Sequence, residues 1–443
     1  MTAPPLTHAT IFRLAMPIVL SNATVPLLGA VDTAVIGQLG AAAPLGAVGI
    51  GAVILSTLYW CFGFLRMTTS GLAAQAQGAG DGAEVSAVLI RALILAAAAG
   101  LALIAAQRLL FAGAFAIAPA SARVEDLARS YLGIRIWGAP ATIALYAITG
   151  WLIGLGRTRG VLVLQLAQNG VNIALSVWFV IGLGWGVPGV ATATLIAEAI
   201  GLLVGLWLAR AAFGAALKPA LARLRDAAAV RLMFGASRDI LLRTVILQLS
   251  FTSFVFLGAR FGDVTLAANQ VLLQFLQITA FGLDGIAFAA EALIGAAVGA
   301  KNPAAVQRAS RMAMQWGFGG AAVLALTFAL AGGALIDVMT TAPDVRAAAR
   351  GWLPWLVAAP LVGVASWIYD GIFIGAMLTR EMLRAMALSV AIYVAALVVL
   401  VPLSGNHGLW AALMVLLVAR GATMRRAAPA VLRKAAQSEF PSI

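Results

Sequence analysis

The sequence predicts an all-α integral membrane protein, with twelve transmembrane helices in two pseudo-symmetric six-helix lobes around a central cleft. Three observations predict it. Of 443 residues, 63% are hydrophobic and 10% charged, and the mean hydropathy is +1.01; a soluble chain carries about 25% charged residues. The apolar runs are long enough to cross a bilayer core, which takes roughly 20 residues of helix, and about twelve fit in the chain. A repeat at half the chain length divides them into two sixes.

In chain order the spans fall near 11–39, 46–79, 84–115, 124–156, 160–184, 187–213, 229–261, 265–299, 304–333, 343–377, 380–402 and 407–425. Runs such as Leu89–Ile104 show no apolar/polar alternation, which excludes a lipid-facing β-barrel. Residues 1–215 form the N-lobe, 216–228 a basic linker on the cytoplasmic side, and 229–443 the C-lobe.

The net charge of +13 does not mark a nucleic-acid binder, because the basic residues sit mainly in short connections between apolar runs. The termini and the connections after each even-numbered span hold 19 Lys/Arg, against 6 on the other side. The positive-inside rule then puts both termini in the cytoplasm. Cys61 is alone, and His8 and His407 lie near span ends, so neither a disulfide framework nor a Cys/His metal site is expected. The Gly-x-Gly strings lack a preceding strand and no GxxxxGK[ST] occurs, so ATP is not the direct energy source. The deep acids and short loops leave no place for an interfacial catalytic cluster; no enzyme activity is expected.

At a shift of 221, GQLGAAAPLGA (37–47) faces GARFGDVTLAA (258–268). GAGDGAEV (78–85) likewise faces GAKNPAAV (299–306), and TGWLIGLGRTR (149–159) faces DGIFIGAMLTR (370–380). Six spans per half is even, so both halves enter from one side and the repeats are parallel.

Two six-helix lobes, the first-span segment AVDTAVIGQLG, and the paired TGWLIGLG/DGIFIGAM segments resemble the multidrug and toxic compound extrusion (MATE) family. SRDILLRTVILQLSF, AFGLDGIAFAAEALIG, IYDGIFIGAMLTREM and GNHGLWAAL resemble its DinF subfamily. The resemblance spans nearly the whole chain and implies cation-coupled export of organic compounds by alternating access. It also implies a multi-pass protein of the bacterial inner membrane, a monomer, whose partners are small organic molecules and the lipid bilayer. The expected coupling ion is the proton, with sodium as the alternative and no cofactor. A flippase for lipids or lipid-linked precursors is the other alternative, and it would leave Arg66, Arg135 and Arg243 exposed and unpaired.

A carboxylate in the bilayer interior costs about 2.5–3.5 kcal/mol or more, so intramembrane acids are functional candidates. Asp32, Glu198, Asp284, Glu291 and Asp370 sit deep; Asp239 and Asp337 lie nearer span ends. At the 221 shift the deep acids face Ser253, Ala419, Gly63, Ser70 and Thr149, so none has an acidic counterpart. The scaffold was duplicated and the chemistry was not.

Asp32 is the first choice for cation coupling. It follows Pro26 by six residues, with Pro17 upstream, and prolines remove backbone hydrogen bonds and kink helices. Protonation would remove a charge beside a ready-made hinge. The resemblance assigns the matching first-span Asp the same coupling role. Asn169, Asn172 and Ser176 share one face of span 5, and Thr194 and Glu198 are four apart on span 6. Many relatives carry an Asp where Ser176 stands, so Glu198 supplies a second acid or Asp32 works alone.

In the C-lobe, Asp239 and Arg243 are four apart, and Asp284 and Glu291 seven apart. Buried charges persist when paired, so Arg243 is expected on Asp284, Glu291 or Asp370. Two readings stand: a fixed ion-pair lock, or a second cation or substrate site. Arg66 and Arg135 are buried by position and need an acid, helix-end carbonyls or an anionic ligand. Candidates for the substrate cleft are Asn169, Arg66 and Arg135, with a wall of Phe62, Phe64, Met67, Phe256, Phe281, Phe288, Trp367 and Met377, side chains that adapt to varied ligands.

Overall fold

A computed structural model describes residues 6–38, 42–117, 120–214 and 216–437, excluding the side chains of 25–30. Its helices are α1 (His8–Gly37), α2 (Ala42–Trp60), α3 (Phe64–Gly78), α4 (Gly82–Ile117), α5 (Ala122–Arg135), α6 (Ala139–Gly154), α7 (Thr158–Val177) and α8 (Gly186–Leu208). They continue as α9 (Leu217–Arg223), α10 (Ala227–Ala259), α11 (Asp263–Gly299), α12 (Pro303–Met339), α13 (Pro343–Gly375), α14 (Thr379–Ala427) and α15 (Pro429–Gln437).

Ten segments are long and apolar enough to cross a membrane. The 30-residue α1 adds an eleventh. The last of the ten, 59 residues long, exceeds any single span, and Gly405 breaks it at φ 55°, ψ −127°. Two spans result, and the chain crosses twelve times.

The repeat is written into the helix ends. α3 and α11 stop at Gly78 and Gly299, α6 and α13 at Gly154 and Gly375, and α7 and α14 begin at Thr158 and Thr379, every pair 221 apart. Left-handed residues recur at the same shift: Gly80 (φ 74°) with Lys301 (φ 53°), Gly156 (φ 66°) with Met377 (φ 52°), and Gly184 (φ 69°) with Gly405. Capping recurs as well. Asp81 Oδ1 accepts from the Glu84 N–H at 3.0 Å, and Asn302 Oδ1 from the Ala305 N–H at 2.9 Å.

A packing device that recurs in each repeat is a Gly-xxx-Gly face. A Cβ on Gly150 or Gly154 of α6 would lie 2.2 or 2.4 Å from the carbonyl oxygens of Arg66 and Ser70 on α3. A Cβ on Gly371 or Gly375 of α13 would lie 2.1 or 2.4 Å from those of Ala287 and Glu291 on α11. Only hydrogen fits there, so the backbones pack directly. These glycines belong to the paired segments TGWLIG and DGIFIG.

The first repeat departs from continuous helix in three places where the second does not. Phe62, Gly63 and Leu65 each bond to the carbonyl three residues back, which separates α2 from α3 inside span 2. Ile136–Gly138 forms a 3₁₀ turn before α6, where Pro140 cannot donate to the Ile136 carbonyl. A π segment, Trp178–Gly182, closes α7, with Leu183 N–H bonding to Trp178 O at 2.9 Å. α11 and α13 pass unbroken through the positions matching the first two.

The chain forms two compact units: residues 1–19, 74–80 and 233–443 in one, and 20–73 and 81–232 in the other. Within the latter, Tyr59, Tyr131, Leu132 and Ile136 centre a buried cluster. Within the former, Phe254, Tyr393, Leu413 and Trp410 do so. The Trp410 indole donates to Asn269 Oδ1 at 2.9 Å, and Asn269 and Asn406 exchange amide bonds at 2.8 and 3.0 Å.

Candidate functional site

In the first repeat a polar chain starts at Asp32. Asp32 lies on α1, half-buried, where the helix faces α7. Ser176 Oγ stands 3.4 Å from Asp32 Oδ1 and 3.4 Å from Asn172 Oδ1. A hydroxyl has one proton, so Ser176 donates to one of these acceptors at a time. Asn172 Nδ2 donates to Thr194 Oγ1 at 2.9 Å, and Thr194 Oγ1 donates to the Val190 carbonyl at 2.9 Å. Ser176 and Asn172 are buried, so the chain runs from α1 through α7 to α8 away from the membrane lipid. The 3.6-residue period turns positions 169, 172 and 176 to one side, and tertiary packing supplies α1 and α8 as partners. A second link joins Asn169 Nδ2 to Thr24 Oγ1 at 2.8 Å, with Gln165 donating to Asn169 Oδ1 at 3.3 Å.

Glu198 takes another partner. Arg135 Nη1 and Nη2 donate to Glu198 Oε2 and Oε1 at 2.6 and 2.9 Å, a two-pronged pair between α5 and α8. Both residues are buried, at 8% and 4% exposure. Gly138, in the 3₁₀ turn, makes the space: a Cβ there would lie 2.2 Å from Glu198 Oε2. Tyr59 Oη donates to the Arg135 carbonyl at 3.3 Å. The pair is formally neutral, and the Glu198 carboxylate is taken up by Arg135.

In the second repeat Asp370 Oδ2 accepts from Arg243 in a very close ion pair and from Arg420 Nη2 at 2.9 Å. α10, α13 and α14 each supply one member, and the triad carries one net positive charge. Asp239 accepts from Arg238 Nη2 at 2.9 Å and from Thr379 Oγ1 at 3.3 Å. Asp284 is half-buried on α11 with Phe281 and Phe288 on the same face, while Glu291 is fully buried. Arg66 opens the α3 turn that packs on Gly150.

Sequence reasoning missed Arg420. Its signal was an arginine inside LVARGAT, five residues before Arg425, which reads as part of the basic tail. It also missed the breaks that flank the Asp32 region. Of the cleft candidates, Phe62 lies in the turn between α2 and α3, 6.2 Å from Phe64 ring to ring, with Met67 one turn on. Phe256 is 71% exposed, Trp367 is half-buried, and Met377 is the buried left-handed residue after α13. Pro17 is buried inside α1, and the side chain of Pro26 lies outside the described residues. No group of three or more His, Cys, Asp or Glu gathers in a metal-binding arrangement among the described residues.

Twelve spans in two six-helix repeats, with polar groups buried at membrane depth, define a secondary-transporter architecture. The MatE family model matches residues 17–178 and 240–400. DNA damage-inducible protein F of Escherichia coli (strain K12) is 40% identical over 421 residues, covering 94% of this chain and 90% of that protein. A probable multidrug resistance protein NorM of Deinococcus radiodurans is 32% identical over 72% of this chain and 70% of its own length. Among solved structures, a MATE protein in the bent conformation superposes with a TM-score of 0.86 at 17% identity, covering 97% of both chains. A Vibrio cholerae MATE transporter in the bent form gives 0.83 at 20% identity over 97% of both. The chain therefore belongs to the MatE family, in its DinF subfamily. It is an integral multi-pass membrane transporter and not an enzyme.

Proposed function

We propose that the protein exports small organic, amphiphilic or cationic compounds by alternating access, with protons as the counter-ion. The carrying observation is the Asp32–Ser176–Asn172–Thr194 chain. Glu198 and Asp370 are held by arginines, whereas the Asp32 carboxylate meets a neutral hydroxyl. A carboxylate facing a hydroxyl can gain or lose a proton without breaking an ion pair. When Asp32 is ionised, the Ser176 hydroxyl turns to it. When Asp32 is protonated it can donate to Ser176, which then donates to Asn172. Loading the proton reverses the Asp32–Ser176 bond, leaves the Asn172–Thr194 bond as it is, and removes a charge on α1, the helix that carries Pro17 and Pro26. Arg135–Glu198 and Arg243–Asp370–Arg420 act as fixed locks that hold the surrounding spans. The name of the Deinococcus relative, a probable multidrug resistance protein, supports export of drug-like compounds.

The pairing of Arg135 with Glu198 and of Arg243 with Asp370 counts against a lipid-linked precursor flippase, which needs those arginines open. The 19-to-6 charge bias supports cytoplasmic placement of both termini, and the bacterial relatives support the inner membrane as the location.

Dye efflux from proteoliposomes tests the reading. A pH gradient without sodium is expected to drive flux in the wild type and not in Asp32→Asn. Flux driven by a sodium gradient at equal pH, or normal proton-driven flux in Asp32→Asn, overturns it.

A further inference from the structure

The second repeat carries a groove of about 1150 Å³ between α12, α13 and the last span, lined by fourteen residues. Its open side is formed by exposed Arg311, Gln315, Phe318, Val418 and Arg425. Two guanidinium groups border it and no carboxylate is among its lining residues.

The polar and apolar parts are segregated along the membrane normal. Arg311 lies in the third turn of α12 and Arg425 in the last turn of α14. α12 starts span 9 and α14 ends span 12, so both arginines are near the same membrane face. Met314, Phe318, Val362 and Val418 lie deeper. Phe318 is about 10 Å along α12 from Arg311 at 1.5 Å per residue. A charged rim over an apolar floor of that depth matches a headgroup above an acyl chain.

Most of the polar lining belongs to one repeat; Gln307 alone of the longer polar side chains faces a polar residue, Ser86. At the 221 shift, Arg311, Gln315, Tyr369 and Arg425 stand where the first repeat has Ile90, Ile94, Ile148 and Val204. Ile372 stands where the first repeat has Trp151, which is buried and bridges α6 to α4 through its bond to the Val85 carbonyl at 2.9 Å. Shared scaffold does not explain a feature that one copy fills with apolar side chains and the other opens and charges.

The geometry points to a binding site for an anionic phospholipid, with its phosphate between Arg311 and Arg425 and one acyl chain along Phe318, Val362 and Val418. Guanidinium groups take phosphate oxygens in two-pronged bonds, and basic recesses between membrane helices suit anionic headgroups. The site is separate from the Asp32 chain and does not depend on which ion drives transport.

Native mass spectrometry of the full-length protein, delipidated and then titrated with phosphatidylglycerol or phosphatidylcholine, tests it. The wild type should retain the tightest phosphatidylglycerol at least tenfold better than phosphatidylcholine. R311Q/R425Q should lose that preference, while R308Q, a charge on the same helix outside the groove, should keep it. Ala422→Trp, which fills the groove and leaves both charges, should also lose it, with the melting temperature of each variant as the fold control. Equal retention by R311Q/R425Q, or no preference in the wild type, overturns the proposal. Release of the lipid by millimolar inorganic phosphate also overturns it, marking a free-anion site instead.

Discussion

Arg135 and Glu198, 63 residues apart in sequence, meet in a two-pronged ion pair with bonds of 2.6 and 2.9 Å inside the first repeat. A buried pair of this kind is asymmetric in energy: losing one partner strands a charge and costs about 3–5 kcal/mol, while replacing both with apolar groups is close to neutral. Glu198→Gln or Arg135→Gln should therefore lower the unfolding free energy by about 3 kcal/mol, and the double change Arg135→Met with Glu198→Leu should recover most of it. Thermal unfolding in detergent measures this. Unchanged stability in the single variants would show that the pair is not a lock.

The Ser176 hydroxyl is the link between Asp32 and Asn172. Ser176→Ala removes it with little change in volume. A hydrogen bond to a charged group is worth about 1.5–3 kcal/mol, so proton-driven efflux should fall about tenfold or more, with a drop in unfolding temperature of only a few degrees. An unaltered efflux rate would take the hydroxyl out of the mechanism.

Gly371 has no room for a methyl group, since its Cβ would lie 2.1 Å from the Ala287 carbonyl. Gly371→Ala should force α13 off α11 and destabilise by about 1–3 kcal/mol or more. Gly113 on α4 meets nothing within 4 Å. Gly113→Ala should stabilise by about 0.5–1 kcal/mol through helix propensity alone. Equal effects at the two sites would refute the direct backbone contact.

Asp81, in the connection before α4, bonds closely to Arg223 of α9. Partial burial raises its carboxyl, but the Arg223 bond and the N–H groups of Glu84 and Ala83 outweigh it and hold it below the usual value. A depressed acid contributes stability above its ordinary pKa, about 3.9, and loses it as pH falls through the lower folded value. Melting temperature should drop more steeply below about pH 4 in the wild type than in Asp81→Asn. Parallel acid limbs would remove Asp81 from the linkage.

Span positions were legible because lipid demands about 20 apolar residues per helix, a strong one-dimensional signal. The repeat was legible because glycines and helix-end residues recur at one shift, and their spacing is local chemistry. Asn169, Asn172 and Ser176 share a face by helical period, so that face was also readable. Breaks in spans 2 and 5 were not, since short 3₁₀ and π turns leave no composition signal, whereas the one in span 4 is marked by Pro140.

The sequence by itself determined the number of spans, their duplication, the basic bias of one side and which acids lie at membrane depth. The tertiary structure decided which charges neutralise one another: Arg135 with Glu198, and Arg243 together with Arg420 on Asp370. It also decided that Asp32 meets a hydroxyl instead of a guanidinium. The reason is physical. Burial in lipid follows from the composition of a single helix, whereas pairing depends on which faces of separate helices pack together, and residues 50 to 144 positions apart carry no local sign of it.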